Sequence, residues 1–164
     1  EAANAIRNCI NRYMEICDNL DANTNLDELM ALFAADSIWE GIGEKYSKSF
    51  GRYTTWQSIY DMFKSYTQKD SHFLMNAHFL SSEQIYVDGT TAKGSWLMLQ
   101  TSTFKSHQSH LNAAKLTVQF NKNPNGQWQI KHFQTENIFS RPVGHWNSTA
   151  ELPVPQAHSS DMQA

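Results

Sequence analysis

The sequence has little of three things, and each shortage removes a class of protein. Its 13 lysines and arginines are scattered over 164 residues and the formal charge is −3, so the basic footprint of a nucleic-acid or anionic-membrane binder is missing. No apolar run approaches the ~18 residues of a membrane-spanning helix. Only two cysteines occur, Cys9 and Cys17, in a stretch of helical periodicity. At ~1.5 Å rise per residue they stand roughly 12 Å apart, beyond the ~7 Å that a disulfide spans. They read as buried small hydrophobes, which favours a reducing, cytoplasmic location. The chain opens at Glu1 without a methionine, so its native start is missing and a removed signal peptide is the competing reading. Nucleotide-binding motifs are absent. The histidine pairs His72/His78 and His107/His110 come without the cysteines or acidic clusters that a metal needs, so no cofactor and no metal is expected.

What the chain has in quantity is aromatic surface: five Trp, six Tyr and nine Phe. Ile6, Cys9, Ile10, Tyr13, Met14, Cys17 and Leu20 recur at steps of three and four, which predicts an amphipathic helix over residues 3–21. Asn25 or Thr24 can cap a second, short helix whose apolar face is Leu26, Leu29, Met30 and Phe33. Residues 36–43 read as a strand and 43–53 as a loop. Thr54 or Thr55 can cap a third helix that presents Trp56, Ile59, Tyr60, Phe63 and Tyr66 on one side.

Beyond residue 77 the pattern becomes long strands, at 77–87, 91–104, 112–122 and 127–139. Asp88-Gly89 and Asn125-Gly126 are tight-turn signals between them. Three helices followed by an antiparallel meander make an α+β fold, a cone-shaped, strongly bent antiparallel sheet with the helices on one side enclosing a pocket. A strict period of two puts Trp128, Ile130, His132, Gln134 and Glu136 on one face of the last strand. Polar groups on an inward face imply a wet cavity. Trp128 and His132 are therefore pocket candidates. On the strand at 91–104 both faces are apolar, Trp96 and Met98 against Leu97 and Leu99, so one face is expected to meet a second subunit in a homo-oligomer, dimer or trimer. Trp96 and Phe120 are candidates to cover such a face.

Three stretches carry a family resemblance. They are Asn11-Arg-Tyr-Met-Glu-Ile-Cys-Asp18 with Leu26-Asp-Glu-Leu-Met-Ala-Leu-Phe-Ala-Ala-Asp36, then His78 through the Asp88-Gly89 turn to Ala92, and the closing hairpin with Asn125-Gly126, Trp128 and Ile130. Together they resemble the NTF2-like (cystatin-like) superfamily and its SnoaL-like branch, which includes scytalone dehydratase, bile-acid dehydratase, ketosteroid isomerase and polyketide cyclases. The resemblance implies a SnoaL-like domain over residues 1–142 and a C-terminal tail over 143–164. Its catalytic positions fall on Tyr13, a phenol that acts on a substrate oxygen, on Asp18, and on His78, an imidazole that moves a proton next to a carbonyl. Trp39 falls where the family lines its pocket. Arg141 falls near the bile-acid enzyme's C-terminal arginine, where it could bind a substrate carboxylate.

Departures narrow the reading. Cys17 stands where scytalone dehydratase has a tyrosine, Ser102 near its second histidine, and Lys115 or Leu116 near its pocket asparagine. The isomerase's general-base aspartate falls at or beside Gly41, which disfavours isomerase chemistry. The leading expectation is a cofactor-independent lyase- or isomerase-like enzyme, of dehydratase or cyclase type, acting on a small hydrophobic ring compound through Tyr13, His78 and Asp18. The alternative is a non-catalytic ligand-binding protein, or an assembly subunit resembling the small subunit of a ring-hydroxylating dioxygenase. The enzyme reading requires Asp18 and His78 to meet at one cavity with Tyr13.

Overall fold

The first helix, α1 (Ala2–Asp18), buries the stripe that its periodicity marks: Ile6, Cys9, Ile10, Tyr13, Met14 and Cys17 all face the interior. In this computed structural model, which describes residues 1–146 and 154–155, α2 (Leu26–Met30) follows, capped by the Asn25 side chain accepting from the Asp27 N–H. Strand β1 (Phe33–Ile42) leads into α3 (Gly43–Ser49) and the two-residue β2 (Arg52–Tyr53). Helix α4 (Trp56–Lys64) opens on a reciprocal capping box between Thr55 and Ser58, which satisfies two of its orphan amides.

Residues 43–53, read from sequence as a loop, thus hold a fourth helix. Tyr46 and Phe50 are its apolar anchors, four residues apart and in edge-to-face contact. Helix α3 docks closely because Gly41 carries no side chain. A Cβ at Gly41 would sit 2.4 Å from the Tyr46 carbonyl oxygen.

Four long strands complete the chain: β3 (Phe73–Asp88), β4 (Thr91–Phe104), β5 (Ser109–Lys122) and β6 (Trp128–Val143). Each of the β3–β4 and β5–β6 turns carries its expected glycine in a left-handed conformation, Gly89 at φ 60° and Gly126 at φ 82°, as tight hairpins require. The sheet order is β2-β1-β6-β5-β4-β3. All pairs are antiparallel except β1 with β6, which is parallel. Helix α1 packs on β3 and β6, and α4 on β1, so the helices cover one face of the curved sheet. No helix among the described residues is long and apolar enough to cross a membrane. Most of the expected tail, 143–164, lies outside the described residues.

Extra residues in individual strands decide which side chains face inward. In β6, Phe120 opposes Ile130 but Gln119 opposes His132, so Lys131 is an extra residue. Ile138 is a second, since Ala114 opposes Asn137 and Ala113 opposes Phe139. Each bulge shifts the alternation by one and bends the strand. The interior side of β6 is therefore Ile130, then Phe133 and Thr135. A third bulge, at Ser82 and Glu83 in β3, turns the Glu83 carboxylate towards α1. There it pairs with Arg7 and accepts from the Trp96 Nε1–H.

Trp96 and Phe120 are both fully inside, rather than covering an outer face as expected. On the opposite side of the sheet, Phe79, Leu99, Ala113 and Phe139 lie in register across four strands. Three of these four side chains, Phe79, Leu99 and Phe139, are exposed large hydrophobics.

Candidate active site

Asp18 is the last residue of α1. A carboxylate there faces the negative end of the helix dipole, a placement costing about 0.3–1 kcal/mol unless it is compensated. His78 on β3 compensates it. Asp18 Oδ1 accepts from the His78 backbone N–H at 2.9 Å and lies 2.5 Å from the ring Nδ1. The carboxylate can only accept, so the neutral imidazole carries its proton on Nδ1 and presents an Nε2 lone pair. That nitrogen has no protein partner among the described residues.

His78 lines a cavity of about 130 Å³ between the helices and the sheet. An apolar cavity of about 150 Å³ accommodates benzene, so the space suits one small ring. Tyr13, Trp39, Phe63 and Phe133 form aromatic walls, while Asn76, Gln100 and Asn112 line the sheet side. Trp39 stacks on Phe133 with centroids 5.5 Å apart and donates its Nε1–H to the Tyr13 hydroxyl at 2.9 Å. Burial raises the Tyr13 phenol well above its ordinary pKa, the neighbouring Cys17 adds to this, and the Trp39 N–H opposes it. Tyr13 thus stays a neutral phenol. Cys17, one turn further on, is pushed up to about 12 by burial, which makes it a poor nucleophile.

The structure brings Tyr13, Trp39 and His78 to this cavity, with Asp18 hydrogen-bonded to His78 although Asp18 does not itself line the space. It does not bring the other three candidates there. The Lys131 bulge turns His132 to the outer face, where its Nε2 lies 3.1 Å from Glu40 Oε2, beside Gln134 and Arg52. Trp128 is buried in the core but lies ahead of that bulge and does not line the cavity. Arg141 lies beyond the Ile138 bulge, exposed and opposite Leu111.

Sequence reasoning missed Tyr46 and the amide row of Asn76, Gln100 and Asn112. Asn76, Gln100 and Asn112 are register partners or near neighbours on β3, β4 and β5. A polar residue at an inward position on three successive strands was the available signal.

The SnoaL-like domain family matches residues 1–134. No curated protein matches the chain in sequence. Among solved structures, the chain is similar to hexachlorocyclohexane dehydrochlorinase LinA-type3 from Novosphingobium barchaimii LL02, with TM-score 0.71 and 15% identity over 90% of this chain and 95% of that one. It is similar to a proposed scytalone dehydratase from Novosphingobium aromaticivorans DSM 12444, with TM-score 0.68 and 18% identity over 96% and 95% of the two chains. An NTF2-like protein of unknown function from Pseudomonas putida KT2440 superposes with TM-score 0.61 and 15% identity over 94% and 96%. At these identities the likeness is one of fold.

Proposed function

The chain belongs to the SnoaL-like domain family, and on that premise we propose that it is a lyase-like enzyme that eliminates water or a halide from a small, largely hydrophobic ring compound. One observation carries the reading: the His78–Asp18 pair at 2.5 Å places an oriented base on the wall of an aromatic cavity. Two structural neighbours, a dehydrochlorinase and a proposed dehydratase, are named for eliminations, which supports the reaction class.

In this reading His78 Nε2 removes a proton from the ring carbon next to an electron-withdrawing group. The C–H electron pair becomes the new C=C bond as the leaving group departs from the adjacent carbon. A departing hydroxide takes the proton back from His78 and leaves as water; a departing halide leaves as the anion, and His78 releases its proton to solvent. Asp18 holds the ring and favours the transient imidazolium. Tyr13 donates to the oxygen on which negative charge develops, in a site where fixed donors count for more than they do in water. Every group in this step belongs to the chain. Incubation with 3-hydroxycyclohexanone, followed by ultraviolet detection of the enone, tests the proposal. Wild-type protein produces the enone and His78→Ala does not.

A second copy of the chain is proposed to cover the apolar row on the outer sheet face, since uncovered patches of this kind mark association sites. Light scattering on the eluting protein should give a dimer or trimer, and a monomer at micromolar concentration would contradict it.

A further inference from the structure

The amides around the cavity orient one another, and the orientation is fixed from both ends. At one end, Asn137 Nδ2 lies 3.2 Å from the Phe139 carbonyl oxygen and 3.4 Å from that of Ala113. Backbone carbonyls only accept, so this side of Asn137 is its NH2 group. The same nitrogen lies 2.9 Å from Asn112, which must present Oδ1 to it. Asn112 Nδ2 then donates to the Tyr46 hydroxyl oxygen at 2.6 Å and to Gln100 Oε1 at 3.3 Å. At the other end, Asn76 Nδ2 donates to the Cys17 carbonyl, so Asn76 Oδ1 accepts from Gln100 Nε2 at 2.8 Å. That turns Gln100 Oε1 towards Asn112. Two independent backbone anchors therefore give one polarity.

The consequence falls on Tyr46. Its oxygen already accepts from Asn112, both N–H groups of Asn112 are in use, and the Tyr46 proton has no acceptor among the described residues. Tyr46 is buried and lines the cavity. A buried hydroxyl proton without an acceptor is costly, and a ligand atom in the cavity would satisfy it.

We propose that Tyr46 is a binding residue that donates its hydroxyl proton to an acceptor atom, a carbonyl oxygen or a halogen, on a neutral one-ring ligand, with Asn112 and Asn137 as positioning residues that set its direction. This deepens the elimination reading by specifying the ligand's polarity. It rests on the cavity being a ligand site and not on turnover.

The test compares two ring probes of the same shape, cyclohexanone and methylenecyclohexane, whose C=O and C=CH2 groups differ in accepting a hydrogen bond. The quantity read is the ratio of their Kd values, with the infrared C=O stretch of bound cyclohexanone as a second readout. In Tyr46→Phe the preference for the ketone falls about tenfold, the scale of one lost hydrogen bond, and the C=O stretch rises in frequency. Asn112→Asp gives the same two changes with tyrosine still present, because a carboxylate still accepts from Asn137 but also accepts the Tyr46 proton and withdraws it from the ligand. If that carboxylate is not tolerated, Asn137→Ala combined with Asn76→Ala, which removes both backbone anchors and frees the Asn112 amide to flip together with Gln100, gives the same C=O shift. His78→Ala keeps the ketone preference while losing turnover, so the two proposals fail separately. An unchanged ratio in Tyr46→Phe, or no binding of either probe to wild-type protein at 10-millimolar order, overturns the inference. An unchanged C=O stretch in the folded Asn112 and Asn137/Asn76 variants overturns the positioning role.

Discussion

Asp18 Oδ1 receives both the backbone N–H and the ring Nδ1 of His78, at 2.9 and 2.5 Å. The same oxygen thus fixes where the histidine stands and which ring nitrogen faces the cavity. The bond joins the end of α1 to β3 through two residues 60 apart in sequence, and the helix's amphipathic stripe delivers Tyr13 to the same cavity.

Asp18→Asn should therefore separate orientation from binding. Asp18 does not line the cavity, so kcat falls by at least about tenfold while KM stays within about twofold. The helix end loses an unfavourable charge of about 0.3–1 kcal/mol, which offsets part of the lost pairing. Steady-state kinetics and a thermal melt check this. A raised KM at unchanged kcat would place Asp18 in substrate binding instead.

Tyr13→Phe leaves the Trp39 Nε1–H buried without its acceptor. The expected cost is about 1–3 kcal/mol. A double-mutant cycle with Trp39→Phe isolates the bond from the packing of Trp39 on Phe133. The second substitution should cost about 1 kcal/mol less in the Tyr13→Phe background than in wild type, read from urea midpoints and slopes.

Both cysteines should be silent in the native protein. Burial pushes Cys9 and Cys17 from 9.0 to about 12, and the thiolate is the reactive form. A disulfide reagent at pH 8 labels no thiol in the folded chain and two after denaturation. Each thiol has a folded-state pKa above its unfolded value. Its contribution to stability is therefore complete below pH 9.0 and is lost as pH rises towards about 12. Urea midpoints should fall across that window, and Cys9→Ser should flatten the fall.

Gly41→Ala should damage the cavity from behind. Its Cβ would meet the Tyr46 backbone oxygen at 2.4 Å and the Tyr46 Cβ at 2.9 Å, forcing α3 off β1. Overpacking of this kind costs about 1–3 kcal/mol, or roughly 2–4 °C in Tm per kcal/mol for a chain of this size. Unchanged stability would mean that α3 can move freely. The same contact explains why an aspartate has no place at this position.

The α1 stripe, the caps at Asn25 and Thr55 and the two glycine turns were legible because each is set by neighbours in sequence. Asp18 and His78 came from the family resemblance, since spacing alone gives no sign that a helix end and a strand will meet. His132 was misplaced because a strict period of two ignores the extra residue at Lys131, which has no distinctive composition. Helix α3 is too short for a periodic signal, with only Tyr46 and Phe50 as anchors. The Asn137–Asn112–Tyr46 relay depends on cross-strand register, which no single strand reveals.

The most direct measurement is the rate of enone formation from 3-hydroxycyclohexanone by wild-type protein and by His78→Ala, with circular dichroism to show that both are folded. Loss of a positioned general base costs about 10²–10⁴-fold in rate. The account predicts a fall of that size in a folded variant. Equal rates in the two proteins, or no enone from either, would contradict it.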